Sequence, residues 1–291
     1  MRQLLILSGK GGTGKTTVAT SFIKLAYAHA YADCDVEAPN LHLLLSYGEE
    51  PQRTEFASMP KASIDASRCD GCGICEENCR FDALERCGTV FEVHAEACEG
   101  CGLCAALCPQ DAIGMVPGTA GDIMLYADGR RAFSTARLRV GAGISGKLVT
   151  AVKEQLKENA PPTDLAVIDG PPGIGCPVIA SLAGVDTVLL VVEPTMSGLS
   201  DLERVLETVR MVGCRVIACI NRFDLNPKGT ARIERFCRER DIPCVGKIPY
   251  DPAVVQAVNQ GLCAVDLDGP AAEAVEDVFD RTMGLMESAP R

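Results

Sequence analysis

The sequence predicts an α/β fold in which a mostly parallel sheet is covered by helices on both faces. Short, continuous apolar runs alternate with helical segments along most of the chain, as expected for strands that are buried on both sides. The first run, at 3–8, leads into a glycine-rich loop and then into a helix predicted from about Lys15 to Ala28. Further strands are predicted at 165–169, 187–193, 215–221 and 243–249, and the second strand of the chain is expected to begin near Ala30.

One helix, at 200–213, is well defined by its periodicity. Ser200 and Glu203 have the spacing of a capping box, and Gly213 is expected to end the helix. The apolar side chains of this segment recur on one face, at Leu202, Val205, Leu206, Val209 and Val212. Such a stripe is typical of a helix that packs on a sheet.

The alternation of strands and helices stops near residue 55 and resumes near residue 117. The segment 55–116 carries eleven acidic and four basic residues, and it contains two similar stretches, CDGCGICEENC and CEGCGLCAALC. Internal similarity of this kind indicates a duplication. We therefore expect a discontinuous main domain at 1–54 and 117–291, and a small inserted α+β domain at 55–116.

The composition of the 291-residue chain, with 47% hydrophobic and 23% charged residues, is that of a globular protein. No apolar run is long enough to span a bilayer, and the first residues lack the features of a signal peptide, so we expect a cytoplasmic protein. The net charge of −11 argues against nucleic acid as a partner. The helix predicted over 271–288 is acidic, which argues against a direct membrane anchor.

The loop GKGGTGKTT, at 9–17, has the composition and the position of a phosphate-binding loop. Its glycines allow successive backbone N–H groups to face phosphate oxygens, and the following helix N-terminus favours negative charge. Lys15 would reach the terminal phosphates, and the Thr16 hydroxyl would bind Mg²⁺. The expected nucleotide-binding residues of the loop are Gly11, Gly12, Thr13, Gly14, Lys15, Thr16 and Thr17. The alternative is a glycine-rich turn that binds nothing.

The additional lysine of this loop, Lys10, identifies a family resemblance. The stretch KGGTGKT resembles the deviant Walker A motif of the MinD/ParA/Mrp/nitrogenase-reductase group of P-loop ATPases. The resemblance implies binding of ATP or ADP with Mg²⁺, and hydrolysis of ATP. It also implies that Lys10 reaches across a dimer interface to the nucleotide of the partner subunit. The ATP-dependent dimer would be a homodimer or a heterodimer with a paralogous ATPase.

Other segments of this family pattern follow in order. DCDVEAPN, at 33–40, resembles switch I, which implies that Asp35 positions the attacking water. LAVIDGPPG, at 165–173, resembles Walker B and switch II, which places Asp169 at a strand end as an Mg²⁺ ligand through water. INRFD and IPYDP resemble the segments that contact the base, through Asn221 and through Pro249 and Asp251. The residues expected to be catalytic are Lys10, Lys15, Asp35 and Asp169.

Eight of the sixteen cysteines form two C-x2-C-x2-C-x3-C runs between residues 69 and 108. Each run resembles that of bacterial ferredoxins, in which the fourth cysteine binds the other of two 4Fe–4S clusters. This resemblance assigns one cluster to Cys69, Cys72, Cys75 and Cys108. The second cluster is assigned to Cys79, Cys98, Cys101 and Cys104. Zinc knuckles and disulfides are the alternatives.

The other eight cysteines are expected to be small buried side chains. Cys176 is an exception, because it follows Asp169 by seven residues, a spacing similar to that of a cluster-bridging cysteine in nitrogenase reductase. No second cysteine in a suitable place is evident for such a bridge.

An ATPase with a ferredoxin insert resembles a subgroup of MinD-type ATPases, which leaves three functional hypotheses. In the first, ATP-driven dimerisation assembles or transfers a metal–sulfur cofactor on a partner protein. In the second, it gates electron transfer to a redox partner. In the third, the protein is a MinD-like positioning or cell-division ATPase in which the clusters are structural or redox-sensing.

Overall fold

The computed structural model describes residues 1–45 and 50–288. The chain divides into two compact units. Unit 1 comprises Met1–Arg53, Ile123–Arg137 and Ser145–Arg291, and unit 2 comprises Thr54–Asp122 and Leu138–Ile144. Several of these boundaries fall inside strands rather than in linkers.

The strands, in chain order, are β1 (Arg2–Ser8), β2 (Ala30–Asp33), β3 (Gln52–Ile64), β4 (Leu84–Cys87), β5 (Val90–Val93), β6 (Ile113–Ala127), β7 (Ala132–Leu138), β8 (Leu165–Pro172), β9 (Thr187–Val192), β10 (Arg215–Asn221) and β11 (Cys244–Ile248). The helices are α1 (Lys15–Leu25), α2 (Leu41–Leu44), α3 (Ile74–Glu77), α4 (Leu103–Leu107), α5 (Ser145–Asn159), α6 (Cys176–Leu182), α7 (Met196–Val212), α8 (Pro227–Glu239), α9 (Pro252–Asn259) and α10 (Pro270–Glu287). No helix within 1–45 and 50–288 is long and apolar enough to cross a membrane.

The main sheet has the strand order β11-β10-β9-β1-β8-β2-β7-β6-β3. In unit 1, β1 pairs in parallel with β8 and β9, and β10 pairs in parallel with β9 and β11. The pairs β2–β7 and β2–β8 are also parallel. The predicted α/β class with a mostly parallel sheet is therefore confirmed. Parallel pairing brings the carboxyl ends of β1, β2, β8 and β9 to one edge, where ligands of such sheets bind.

The core of unit 1 is formed by strand residues packed against helices α1 and α10. Phe22 of α1 is fully buried and meets Phe279 of α10 edge to face, with ring centroids 5.2 Å apart. Val275 and Val278 of α10 are buried in the same cluster. The apolar side of α10 is therefore covered by the sheet and α1, as its sequence pattern indicates.

Three predicted boundaries differ from the structure. Helix α7 begins at Met196 rather than Ser200, because the Thr195 hydroxyl caps it by accepting the Gly198 N–H at 2.9 Å. Helix α1 ends at Leu25 rather than Ala28, since Tyr27 adopts a positive φ of 47°. Strand β8 continues to Pro172, so Asp169 lies within the strand rather than at its end.

Unit 2 extends beyond the insert expected at 55–116. Strand β6 runs without interruption from Ile113 to Ala127, so the chain makes no turn near residue 117. The segment Leu138–Ile144 also belongs to unit 2. In this segment the Arg139 N–H donates to the Ala120 carbonyl at 2.7 Å, and its guanidinium pairs with Glu55 at 3.1 Å. The sequence lacks a local signal for this additional segment.

The burial of Phe22 predicts a large loss of stability on truncation. Phe22→Ala should lower the free energy of unfolding by about 3–5 kcal/mol, because it leaves a cavity between α1, α10 and the sheet. Met211→Ala is the matched control, since Met211 is 78% exposed, and should change the same quantity by no more than about 0.5 kcal/mol. Denaturant unfolding measures both, and equal effects of the two substitutions would contradict the packing described.

Candidate functional site

A glycine-rich loop connects β1 to α1 at the carboxyl edge of the sheet. Gly12 and Gly14 have φ values of 79° and 88°, which side-chain-bearing residues rarely adopt. A Cβ atom on Gly14 would lie 2.2 Å from Nδ2 of Asn221, so the glycine also allows a close approach. The Cβ positions of Gly11 and Gly12 face open space, which leaves the backbone of the loop accessible.

The first residues of α1 form a buried polar group with β8. The Lys15 Nζ atom lies 2.7 Å from Oδ1 of Asp169, and the Thr16 hydroxyl donates to Oδ2 of the same carboxylate at 2.7 Å. The Lys15 and Asp169 side chains are only 6% and 1% exposed. Lys15 also lies 3.9 Å from Oδ2 of Asp35. The structure thus brings Lys15, Thr16, Asp35 and Asp169 together, as the sequence pattern led us to expect.

Asp33 is an additional member of this group, and the sequence analysis did not identify it. Its position opposite Asp169 in the parallel pair β2–β8 places two buried carboxylates side by side. The Asp33 carboxylate accepts the backbone N–H groups of Asp35, Asn40 and Leu41 at 2.9–3.0 Å. It therefore fixes the loop after β2 that carries Asp35. The Asp-x-Asp spacing at a strand end was the available signal.

Burial and the excess of carboxylates perturb the charges of this site. Burial and the nearby Asp169 raise the pKa of Asp33 to about 7, against the opposing effect of Lys15. Burial likewise raises the pKa of Asp35, again opposed by Lys15. Burial alone would lower the pKa of Lys15, but the neighbouring carboxylates, with Asp169 first, hold it above its ordinary value. The Lys15 ammonium is thus the cation that faces three carboxyl groups, those of Asp33, Asp35 and Asp169. This arrangement favours binding of a further cation.

Asn221, at the end of β10, links the loop to a neighbouring cavity. Its Nδ2 atom donates to the Thr13 carbonyl at 2.7 Å. The cavity encloses about 720 Å³, including space open to solvent, and Thr17, Asn221, Pro249, Tyr250 and Asp251 are among its lining residues. The Asp251 carboxylate caps α9 by accepting the Ala253 N–H at 2.8 Å. Tyr250 is a lining residue that the sequence analysis did not name.

Lys10 lies apart from the Lys15 group. Its Nζ atom is 3.2 Å from Oε2 of Glu193, a residue at the end of β9, and within 3.5 Å of the Thr195 and Ser197 hydroxyls. Glu193 also pairs with Arg222. The Lys10 side chain is 34% exposed, so it is held within its own chain yet remains accessible. Glu193 was not identified from the sequence.

The eight cysteines of the two runs line two separate cavities in unit 2. The first cysteine cavity, of about 320 Å³ including space open to solvent, is lined by Cys69, Cys72, Cys75 and Cys108. The second cysteine cavity, of about 380 Å³ by the same measure, is lined by Cys79, Cys98, Cys101 and Cys104. The remaining walls of both cavities are mainly apolar. These two groups of four are those that the sequence pattern assigned.

An internal two-fold relation explains why the fourth cysteine of each run lies in the other cavity. Several backbone hydrogen bonds and backbone conformations recur at an offset of 29 residues. The Asp65 N–H donates to the Ala112 carbonyl and the His94 N–H to the Ala83 carbonyl, both at 2.8 Å. Equivalent glycines and aspartates have positive φ values in both halves, at Gly71 and Gly100, Gly73 and Gly102, and Asp82 and Asp111. Each half thus contributes three cysteines to one cavity and one to the other.

Among the described residues, the cysteines form neither a disulfide nor a closely convergent metal site, so both the clusters and the zinc alternative stay predictions. All sixteen cysteines are free thiols, so the structure contains no disulfide pairing. Within 1–45 and 50–288, no three His, Cys, Asp or Glu side chains converge closely enough to hold a single metal ion.

The expectation that the other cysteines are buried is wrong for Cys87 and Cys244, which are exposed, as is Cys176, the exception to it. Cys34, Cys219, Cys237 and Cys263 are buried, and Cys214 is half-buried. Cys87 ends the short strand β4, whose last three residues are all exposed. Cys176 begins helix α6. The apolar pattern alone does not predict these exposures.

Residues 4–265 match the family model described as the CobQ/CobB/MinD/ParA nucleotide-binding domain. An uncharacterized protein of Methanocaldococcus jannaschii is 30% identical over 285 residues, which covers 96% of this chain and 95% of that relative. The alignment is long enough to include most of unit 2.

Solved structures of similar fold include ATPases with bound nucleotide. The septum site-determining protein MinD from Pyrococcus horikoshii, complexed with Mg-ADP, matches with a TM-score of 0.58 and 20% identity, covering 98% of this chain and 97% of that one. An ATP complex of McdA from Cyanothece matches with a TM-score of 0.57 and 20% identity, covering 97% and 96%. At these identities the similarity shows a common fold.

The role of Asp33 predicts a local effect of its substitution. Above pH 7, where the Asp33 carboxyl with its pKa of about 7 is ionised, Asp33→Asn should accelerate backbone amide exchange at Asn40 and Leu41 at least about tenfold. Each hydrogen bond to a charged acceptor contributes about 1.5–3 kcal/mol. Hydrogen-exchange mass spectrometry measures this without any ligand. As a control, Asp128→Asn removes a carboxylate that accepts the Arg130 and Arg131 N–H groups, and should accelerate exchange only in that turn. Unchanged exchange at 40–41 would contradict the role given to Asp33.

Proposed function

The chain belongs to the CobQ/CobB/MinD/ParA nucleotide-binding family, and on this basis we propose that it is an ATP-hydrolysing switch that acts as a dimer and binds two 4Fe–4S clusters. The observation that carries the nucleotide part is the contact of both Lys15 and Thr16 with the Asp169 carboxylate behind a glycine loop. The observation that carries the cluster part is the pair of cysteine cavities.

Lys15, Thr16 and Asp169 would bind the phosphates and Mg²⁺. When ATP enters, the Lys15 ammonium exchanges Asp169 for phosphate oxygens, and the backbone N–H groups of Gly11–Gly14 hold the remaining phosphate charge. The Thr16 hydroxyl, and the Asp169 carboxylate through water, would hold Mg²⁺, and the ion would supply positive charge that neutralises the phosphates. The excess of carboxyl groups over cations supports this exchange, since a divalent cation compensates it.

Asp35 would orient the water that attacks the terminal phosphate. Its carboxylate lies beside Lys15 at 3.9 Å, and the loop that carries it is held by Asp33. Asn221, Pro249 and Asp251 would flank the base, because they line the cavity that adjoins Gly14 and Thr17. Asp251 would act indirectly, because its carboxylate caps α9 and so fixes the position of that helix beside the cavity.

Lys10 would act on the nucleotide of a partner subunit. A cation supplied from outside stabilises charge that develops on the transferred phosphoryl group, as an arginine finger does. Its contact with Glu193 supports this proposal, because the recorded partners of the Lys10 ammonium lie outside the Lys15 group of its own chain. The dimer could be formed with an identical chain or with a paralogous ATPase.

The residues of unit 2 fit two clusters. Cys69, Cys72, Cys75 and Cys108 would hold one cluster and Cys79, Cys98, Cys101 and Cys104 the other, each as thiolates at the corners of a cubane. Such clusters accept and donate single electrons. Three features support the fit: eight free thiols in two groups of four, mainly apolar cavity walls, and glycines that permit the tight cysteine loops.

We further propose that closure of the ATP-bound dimer controls electron transfer, or assembly of a metal–sulfur cofactor, on a partner protein. The alternative is a positioning ATPase whose clusters are structural or redox-sensing. The comparisons favour the alternative over this main hypothesis, because the Pyrococcus relative in fold is described as septum site-determining. The two cysteine cavities favour the main hypothesis, since a positioning role does not itself require electron transfer between two clusters.

The proposed roles of the two lysines predict different defects. Lys15→Ala should weaken ATP binding at least about 100-fold, because it removes the cation nearest the phosphates. Lys10→Ala should leave the ATP dissociation constant within about threefold but lower hydrolysis by about 10³-fold, the range of a trans-acting cation. Asp35→Ala should accumulate an ATP-bound dimer.

Nucleotide titration, phosphate release and analytical ultracentrifugation distinguish these outcomes. Lys24→Ala is a control on the same helix, since Lys24 pairs with Asp266 instead. Normal turnover by Lys10→Ala would refute its action in trans, and loss of ATP binding in the Lys24 variant would show that the assay reports helix damage.

Cluster binding predicts a defined metal content. After anaerobic reconstitution, the chain should hold about eight iron and eight sulfide per molecule, and a Cys72→Ala/Cys75→Ala variant about four of each. The Cys87→Ala/Cys176→Ala variant removes two exposed cysteines outside the cavities and should retain the full content. Iron and sulfide analysis with low-temperature EPR provides the measurement, and equal losses in both variants would count against the assignment.

A further inference from the structure

The two halves of unit 2 have very different cation content. We define the first repeat as 60–88 and the second as 89–117, related by the 29-residue offset. All lysines and arginines of the segment 55–116 lie in the first repeat, at Lys61, Arg68, Arg80 and Arg86. Arg68 pairs with Asp111 at 3.2 Å and donates to the Gln110 carbonyl, beyond the second cysteine run, at 3.1 Å, and Arg80 is exposed. Lys61 and Arg86 instead donate to backbone carbonyls within the cysteine runs.

Arg86 lies against the first cysteine cavity. Its guanidinium stands over the ring of Phe91, 4.4 Å from the centroid, and donates to the Gly71 carbonyl at 3.0 Å. Gly71 lies between Cys69 and Cys72, and Phe91 is a buried lining residue of the same cavity. Stacking and the hydrogen bond together fix the positive charge beside this cavity.

The second cysteine cavity has no arginine at the equivalent place. The offset relates Arg86 to Met115 and Phe91 to Ala62, so neither the cation nor the supporting ring is repeated. A different cation lies there. The Lys61 ammonium donates to the carbonyl of Cys98, itself a lining residue of this cavity. The residue equivalent to Lys61 at the first cavity is Val90.

We infer that Arg86 sets the reduction potential of a cluster in the first cavity and Lys61 that of a cluster in the second. The inference depends on the proposed binding of clusters. Reduction by one electron adds negative charge to a site, and a nearby cation stabilises the reduced form more than the oxidised form. Because the two cations come from positions that are not equivalent, each potential is adjusted separately from the other.

The surroundings of the two cations distinguish their effects further. Arg86 is exposed, whereas Lys61 is half-buried. Salt screens interactions of exposed charges more than those of buried ones. The contribution of Arg86 should therefore diminish as ionic strength increases, while that of Lys61 persists.

The test compares midpoint potentials of the full chain, reconstituted anaerobically and titrated with dithionite. Arg86→Met and Lys61→Val install the residues of the other repeat. Hyperfine-shifted cysteine β-proton resonances in NMR spectra report each cluster individually. At the wild-type midpoint, Arg86→Met should lower the reduced-to-oxidised ratio of the first cluster about three- to tenfold, a tenfold change being about 59 mV. In Arg86→Met the ratio of the second cluster should change by less than half as much. In Lys61→Val the ratio of the second cluster should fall about three- to tenfold, and that of the first should change by less than half as much.

Two variants provide controls. Arg86→Lys keeps the charge and should recover at least half of the shift. Arg139→Met removes a cation of the same unit that pairs with Glu55 and Asp122, neither of which belongs to a cysteine run, and should shift neither cluster appreciably. Full clusters with unchanged potentials in Arg86→Met and Lys61→Val, or an equal shift in Arg139→Met, would overturn this inference alone. Failure of the wild-type chain to take up iron would overturn the proposed clusters themselves.

Discussion

The buried ion pair between Lys15 and Asp169 is the interaction on which the nucleotide site depends. A buried charge is costly unless it is paired and hydrogen-bonded, and Asp169 meets both conditions through Lys15 and Thr16. The parallel register of β2 and β8 adds a second buried carboxyl, Asp33, beside the first. The site therefore contains more carboxyl groups than cations. A divalent cation would compensate the excess negative charge, and the phosphates of a nucleoside triphosphate would replace Asp169 as the partner of Lys15.

In unit 2 the corresponding constraint is the two-fold relation between the cysteine runs. It places three cysteines of one run and one of the other around each cavity, so neither half can complete a site alone. Cys75 and Cys98 also belong to the small core of this unit, together with Leu84, Phe91 and Ile113. Such a core contains little apolar surface, and a unit of this size commonly depends on a bound metal group for much of its stability. Occupation of the cavities and folding of unit 2 are therefore expected to be coupled.

Much of this arrangement could be predicted from the sequence, because it depends on local patterns. Continuous apolar runs predicted the central strands, and cysteine spacing predicted the two groups of four. What could not be predicted depends on contacts between distant segments. Asp33 is important because it lies opposite Asp169 in the sheet. Glu193 is important because it pairs with Lys10. The segment Leu138–Ile144 belongs to unit 2 because Arg139 contacts Ala120 and Glu55, which lie far away in the chain. The start of α7 differed because Thr195, five residues before Ser200, caps the helix, and the predicted capping box lies inside the helix.

If closure of the ATP-bound dimer controls electron transfer or cofactor assembly, the nucleotide state of unit 1 must influence the electron affinity of clusters in unit 2. The direct measurement is an anaerobic redox titration of the fully reconstituted chain, first with ADP and then with a non-hydrolysable ATP analogue, at a concentration that permits dimerisation. If the proposed closure of the dimer alters the charge and the solvent around bound clusters, the reduced-to-oxidised ratio at a fixed potential should differ between the two nucleotides by about threefold or more. Identical titration curves with the two nucleotides would contradict the account and would leave two energetically independent units in one chain.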